Sequence, residues 1–171
     1  MCQLIRTPQM TVTPTGVLLT AQCRVAAANG TVNDDQHSAK VVSKFSRDMG
    51  RTWGPMQELT PRGYSHGIAV YDRIRKRVLL QYQHHPNADP SENSTLHQRF
   101  SYDDGVTWGP ERDITALMVR CNPHAPHGMQ VASAGAHIQT SSGRMLFQSH
   151  AIGTTHLACR WWTDDGGETF R

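Results

Sequence analysis

No stretch of this 171-residue chain approaches the run of about 18 apolar residues that a membrane-crossing helix needs. No export-type leader opens it either, which leans toward an intracellular location. Apolar residues at helical spacing are equally scarce: the best candidate, Asp113 to Cys121, is short and stops at Asn122-Pro123. Cysteine is sparse too. Cys2, Cys23, Cys121 and Cys159 lie far apart with no C-x-x-C pair, so neither a zinc knuckle nor a dense disulfide framework follows.

Excess charge of one sign is also lacking, the formal net charge being +3, and the only dense basic run is Arg73-Ile74-Arg75-Lys76-Arg77. Set between two strand patterns, that run reads as a solvated hairpin tip. A nucleic-acid surface would need more of a stripe, whereas a basic pocket for an acidic small molecule is compatible. Histidine is plentiful, with ten in the chain, but His84-His85 and His124-Ala125-Pro126-His127 have no second pair or carboxylate at ligand spacing. No metal or other cofactor is expected. The sequons Asn29-Gly30-Thr31 and Asn93-Ser94-Thr95 are short enough to arise by chance, and Pro86 to Asn93 reads as a loop between strands.

What the chain does have is a threefold pattern, Ser/Thr-x-Asp-x-Gly-x-Thr-aromatic. It occurs as Ser46 to Trp53, Ser101 to Trp108 and Thr163 to Phe170, the starts lying 55 and 62 positions apart. The first two copies continue alike, as Trp53-Gly54-Pro55 and Trp108-Gly109-Pro110. Each box suits a hairpin turn. Asp48, Asp103 and Asp165 can accept backbone N–H bonds, Gly50, Gly105 and Gly167 supply a positive φ, and Trp53, Trp108 and Phe170 pack between neighbouring sheets. These residues therefore read as structural.

A period of this size holds about four short strands and their turns. Strand patterns fall at Gly16 to Ala21, Ala39 to Phe45, Ile68 to Tyr71, Val78 to Tyr82, Ala136 to Gln139, Met145 to Gln148 and Leu157 to Trp162, most bounded by turn residues. The fold class is all-β, a radial array of four-stranded sheets forming a β-propeller. About three blades are present where propellers close with about four to eight, so residues 1–171 read as the N-terminal part of a larger ring with open faces and edges.

Outside the boxes, Arg6-Thr7-Pro8, then Leu18 to Arg24, then Asp35-Gln36-His37 follow one another ahead of the first box. In this order they resemble the exo-sialidase family of six-bladed propellers, where an Arg-Ile-Pro motif, a strand ending in arginine and an Asp-x-His stretch precede the Asp boxes. Val70-Tyr71-Asp72 and Gly135 to Leu146 continue the likeness, which covers nearly the whole chain. Thr7 replaces the family isoleucine, and His66 stands where the family has asparagine before proline.

The resemblance implies that Arg6 belongs to the arginine triad gripping the sialic-acid carboxylate and that Arg24 is a supporting pocket arginine. It implies that Asp35 is the acid/base, with Asp34 as its competitor. A guanidinium suits the first role because it binds a carboxylate through two parallel bonds. The implied activity is removal of terminal sialic acid from glycoproteins, gangliosides or oligosaccharides. The tyrosine nucleophile, its glutamate and two more arginines would lie in later blades, so the 171 residues alone are not expected to turn over substrate. Tyr64, Tyr71, Tyr82 and Tyr102 are not candidates for that nucleophile. The alternative is a non-catalytic box propeller that binds glycans or proteins. Linkage preference and oligomeric state are not legible.

Overall fold

Short β-rich runs bounded by turn residues give strands and almost nothing else. A computed structural model of the chain describes residues 2–24, 39–85, 94–117, 129–131, 137–151 and 157–171. The first sheet takes the order β1 (Leu4–Thr13), β2 (Gly16–Arg24), β3 (Ala39–Ser46), β4 (Gln57–Glu58). The second repeats it with β5 (Tyr64–Asp72), β6 (Arg77–His84), β7 (Thr95–Ser101) and β8 (Arg112–Asp113). In the third, β9 (Met129–Val131) and β10 (Ile138–Gln139) both pair with β11 (Met145–Ala151), which pairs with β12 (Leu157–Thr163). All pairings are antiparallel. Of the stretch from Asp113 to Cys121, residues 113–117 are described, and they hold one 3-10 turn, Thr115–Leu117.

The registers define the repeat. Val17, Val78 and Met145 pair with Ser46, Ser101 and Thr163, the first residue of each box. Counting from these anchors makes Leu18, Leu79 and Leu146 equivalent, and likewise Arg24 and His85. The first strands lie together: Met10, Val12, Tyr71, Arg73, Ile138 and Gln139 are among the residues around one open depression of about 270 Å³. The sheets thus radiate from a common axis, as a propeller requires.

Every box folds the way its residue types predict. In the first, Gly50 N–H donates to Ser46 Oγ at 2.7 Å, and that hydroxyl donates to Asp48 Oδ1 at 2.8 Å. Thr52 gives its N–H to Asp48 Oδ1 at 2.8 Å and its hydroxyl to Oδ2 at 2.6 Å. The same four bonds recur around Asp103 and Asp165. Gly50, Gly105 and Gly167 all have positive φ, at 91°, 96° and 99°.

Boxes also join blades. A Cβ on Gly105 would lie 2.9 Å from Leu18 of the first sheet, so only glycine lets the second box seat there. Trp108 packs onto the core that Leu18 and Val41 share with Val78, Leu80 and Tyr82. Phe170 enters the next core, among Val70, Leu79, Phe147 and Trp161. Each sheet therefore has a leading face turned to its predecessor and a trailing face turned to its successor.

Three features depart from the sequence reading or exceed it. The strands β1 and β7 were hidden by polar content such as Arg6-Thr7-Pro8-Gln9 and His97-Gln98-Arg99. The run from Arg73 to Arg77 does form the β5–β6 turn, but it is a clamp between sheets and not a solvated tip. Arg73 donates to the carbonyls of Gln139 and Thr140 at 3.2 and 2.9 Å, and Arg77 donates to Gly166 O at 2.8 Å. Finally, Cys2 and Cys23 form a disulfide that ties the start of β1 to the end of β2. Spacing alone does not announce that pairing.

Candidate functional site

Two inner strands carry the same irregularity. In β1 the register slips between Arg6, opposite Gln22, and Gln9, opposite Thr20. In β5 it slips between Ser65, opposite Gln83, and Ile68, opposite Gln81. Each is a bulge with one extra residue, and the residue just after Arg6 or Ser65 has positive φ, 49° at Thr7 and 57° at His66. A β-branched threonine pays roughly 1–2 kcal/mol for that conformation. Bulges of this kind re-aim side chains and gather at active sites.

Arg6 and Arg24 come together at this end of the first sheet. Arg6 pairs with Gln22 and Arg24 follows Gln22 by two residues, so period-two alternation puts all three on the trailing face. Arg6 is exposed and Arg24 is buried, with 4 % of its surface accessible. Such burial excludes a free surface arginine at position 24. Asp35, with Asp34 and His37, lies outside the described residues, as does the His124 to His127 pair.

The matching end of the second sheet carries a buried hydrogen-bond chain instead. Ser65 Oγ lies 2.7 Å from both His66 Nδ1 and His85 Nε2, and His85 Nδ1 lies 3.0 Å from Ser94 Oγ. Ser65, His66 and His85 occupy the places of Arg6, Thr7 and Arg24. The equivalence rests on register, so sequence inspection could flag His66 but could not assemble the chain. His84 turns away and stacks on Tyr64 at 4.4 Å, which separates the His84-His85 pair. Among the described residues no group of three or more metal-ligating side chains occurs, and no helix is long and apolar enough to cross a membrane.

Charge elsewhere is spent on structure. Asp48 is held down at about 2 by the Thr52 hydroxyl and N–H. Burial pushes the Asp103 and Asp165 carboxyls up, but the bonds from Thr107 and Thr169 outweigh it and both end below the ordinary range. These three aspartates are box residues and not proton donors. One tyrosine does meet a glutamate, Tyr82 Oη donating to Glu111 Oε2 at 2.6 Å. Tyr82 is fully buried between sheets, and burial drives its pKa up, so it is no nucleophile.

No protein-family model matches the chain. A sialidase of Micromonospora viridifaciens is 30% identical over 192 residues, an alignment covering 97% of this chain and 28% of that protein. The chain belongs to the sialidase family. Solved sialidases share its fold: Hadza microbial sialidase Hz136 matches at TM-score 0.81 and 20% identity, over 99% of this chain and 37% of the other. Trypanosoma rangeli sialidase in complex with sialic acid matches at 0.76 and 14%, over 99% and 30%. The intramolecular trans-sialidase of Ruminococcus gnavus matches at 0.80 and 11%, over 99% and 60%. The chain thus spans about a third of the length of the first two of these sialidases and of the Micromonospora protein.

Proposed function

We propose that residues 1–171 form the N-terminal half of the catalytic propeller of an exo-α-sialidase acting on sialylated glycoconjugates. The observation that carries this reading is the Arg6/Arg24 pair, set on one face beside a strained bulge in a sialidase-family fold. Arg6, exposed and presented by the bulge, grips the substrate carboxylate through paired N–H donors. Arg24, buried behind it, supports the positive field.

Asp35 protonates the departing glycosidic oxygen and then takes a proton from the attacking water. It needs a pKa raised by burial to do so near neutrality, and the two arginines oppose that. The tyrosine nucleophile and its glutamate come from the remaining blades, making a retaining glycosidase. Because disulfides persist in oxidising compartments, the Cys2–Cys23 bond supports folding outside the cytosol, against the intracellular lean.

The test is hydrolysis of an aryl α-sialoside by the full-length polypeptide. Asp35→Asn should lower kcat by about 100-fold or more, the usual scale for a general acid/base. An unchanged kcat would refute the proton-transfer role. Tight binding of sialic acid with no turnover in the wild type would favour the glycan-binding alternative.

A further inference from the structure

Ahead of its bulge, the strand that carries Arg6 is anchored differently from its counterpart in the second sheet. The repeat makes Ile5 equivalent to Tyr64 and Cys23 to His84, and in each sheet the two residues lie directly opposite one another. In the second sheet that pair is a stacked ring contact at 4.4 Å, to which Tyr64 adds edge contacts with Tyr82 and His97 at 5.7 and 5.8 Å. Ile5 and Cys23 have no rings to stack. Cys23, buried with Ala21 and Val42, is bonded instead to Cys2, with the two Cα atoms 5.4 Å apart.

The bulge makes that bond matter. Arg6 sits at its edge, because the register slips between Arg6 and Gln9, Thr7 holds a φ of 49°, and Pro8 has no N–H to give the ladder. On the far side only Leu4, Ile5 and Arg6 pair with β2, joined by one further bond from Gln3 N–H to Arg24 O at 3.0 Å. A unit so short opens easily, since local stability follows the bonds and contacts that a segment shares with its neighbours. The disulfide closes it. Cys23 also stands between Gln22, opposite Arg6, and Arg24, so a single cross-link holds the strand of one arginine against the strand of the other.

We propose that the Cys2–Cys23 disulfide is a positioning element for substrate binding, holding Arg6 where it receives the carboxylate. The inference rests on the sialidase reading of Arg6. It assigns the cross-link to affinity and not to the folding of the sheet.

Cys2→Ser in the full-length polypeptide tests it, since this change keeps the buried Cys23 side chain and removes only the tie. Circular dichroism should match wild type, while the amides of residues 3–6 should exchange with solvent about tenfold faster or more and those of β3 should not change. On an aryl α-sialoside, kcat/KM should fall about tenfold, because displacing a binding group by about an ångström costs up to about 100-fold. The loss should lie in KM, whereas a smaller folded fraction would lower kcat instead. In an Arg6→Ala background Cys2→Ser should change kcat/KM no further, as a bond that works through Arg6 then has nothing to position.

Exchange at the wild-type rate in Cys2→Ser would overturn the proposal. So would an equal fall of kcat/KM in both backgrounds, or a loss of circular dichroism, since either makes the bond a stabiliser of the whole sheet. An Arg6→Ala variant with wild-type kcat/KM is a different result: it refutes the carboxylate reading itself, and the exchange rates of residues 3–6 still report whether the tie holds the strand.

Discussion

The guanidinium of Arg77 lies 3.7 Å from the centroid of the Phe100 ring, in the same sheet, while its Nη2 reaches across to Gly166 of the third box. One side chain thus secures a blade internally and fastens it to the next. Arg77→Ala should cost about 3–5 kcal/mol, the sum expected for a mostly desolvated cation–π contact and a buried charged hydrogen bond. Lys76→Ala, at an exposed neighbour, should stay within about 0.5 kcal/mol of wild type. Urea midpoints decide; equal effects at both positions would mean that the basic run is a solvated turn after all.

Glycine at the box seats is required twice over, by positive φ and by the leucine behind it. A Cβ on Gly167 would lie 2.6 Å from Leu79 Cδ1. Gly105→Ala and Gly167→Ala should each destabilise the chain by about 2–4 kcal/mol, from backbone strain and overpacking together. Thermal midpoints unmoved by either change would contradict the inter-blade role of the box.

At Thr7 the opposite change helps. Its φ of 49° is costly for a β-branched residue, so Thr7→Gly should raise the stability by about 1 kcal/mol. The same variant should weaken sialoside binding if the bulge aims Arg6. A loss of stability would show that the threonine side chain holds the strand more than its backbone strains it.

His137 gives the pH dependence a sign. Burial lowers its pKa from 6.5 to about 4 in the folded chain, so the neutral ring is favoured there. Its contribution is fully present above pH 6.5 and is lost as pH falls toward about 4, amounting to about 3 kcal/mol. Asp48 adds a second step lower down, its stabilisation fading from the ordinary 3.8 toward about 2. In His137→Leu the decline between pH 6.5 and 4 should disappear from urea midpoints, whereas a decline of wild-type size would move the acid sensitivity elsewhere.

The boxes were legible because they are local: Ser46, Asp48, Gly50 and Thr52 satisfy one another within a single turn, so composition and spacing suffice. Their period gave the blades for the same reason. The inner strand β1 was not legible, since Arg6-Thr7-Pro8 breaks the alternation at the bulge that presents Arg6. Nor was the Arg73 to Arg77 clamp, because its acceptors Gln139, Thr140 and Gly166 are distant in sequence. The pairing of Ser65 with His66 and His85 depends on a register slip that no local pattern encodes. Arg6 and Arg24 were singled out by the order of motifs alone, and their register puts both on one face of the first sheet.

The most direct measurement is the kcat/KM of the full-length polypeptide on an aryl α-sialoside, compared between wild type and Arg6→Ala. Loss of a paired guanidinium–carboxylate contact predicts a fall of about 100-fold or more, with the fold intact by circular dichroism. Arg6→Ala with wild-type kcat/KM would contradict the claim that this arginine receives the substrate carboxylate.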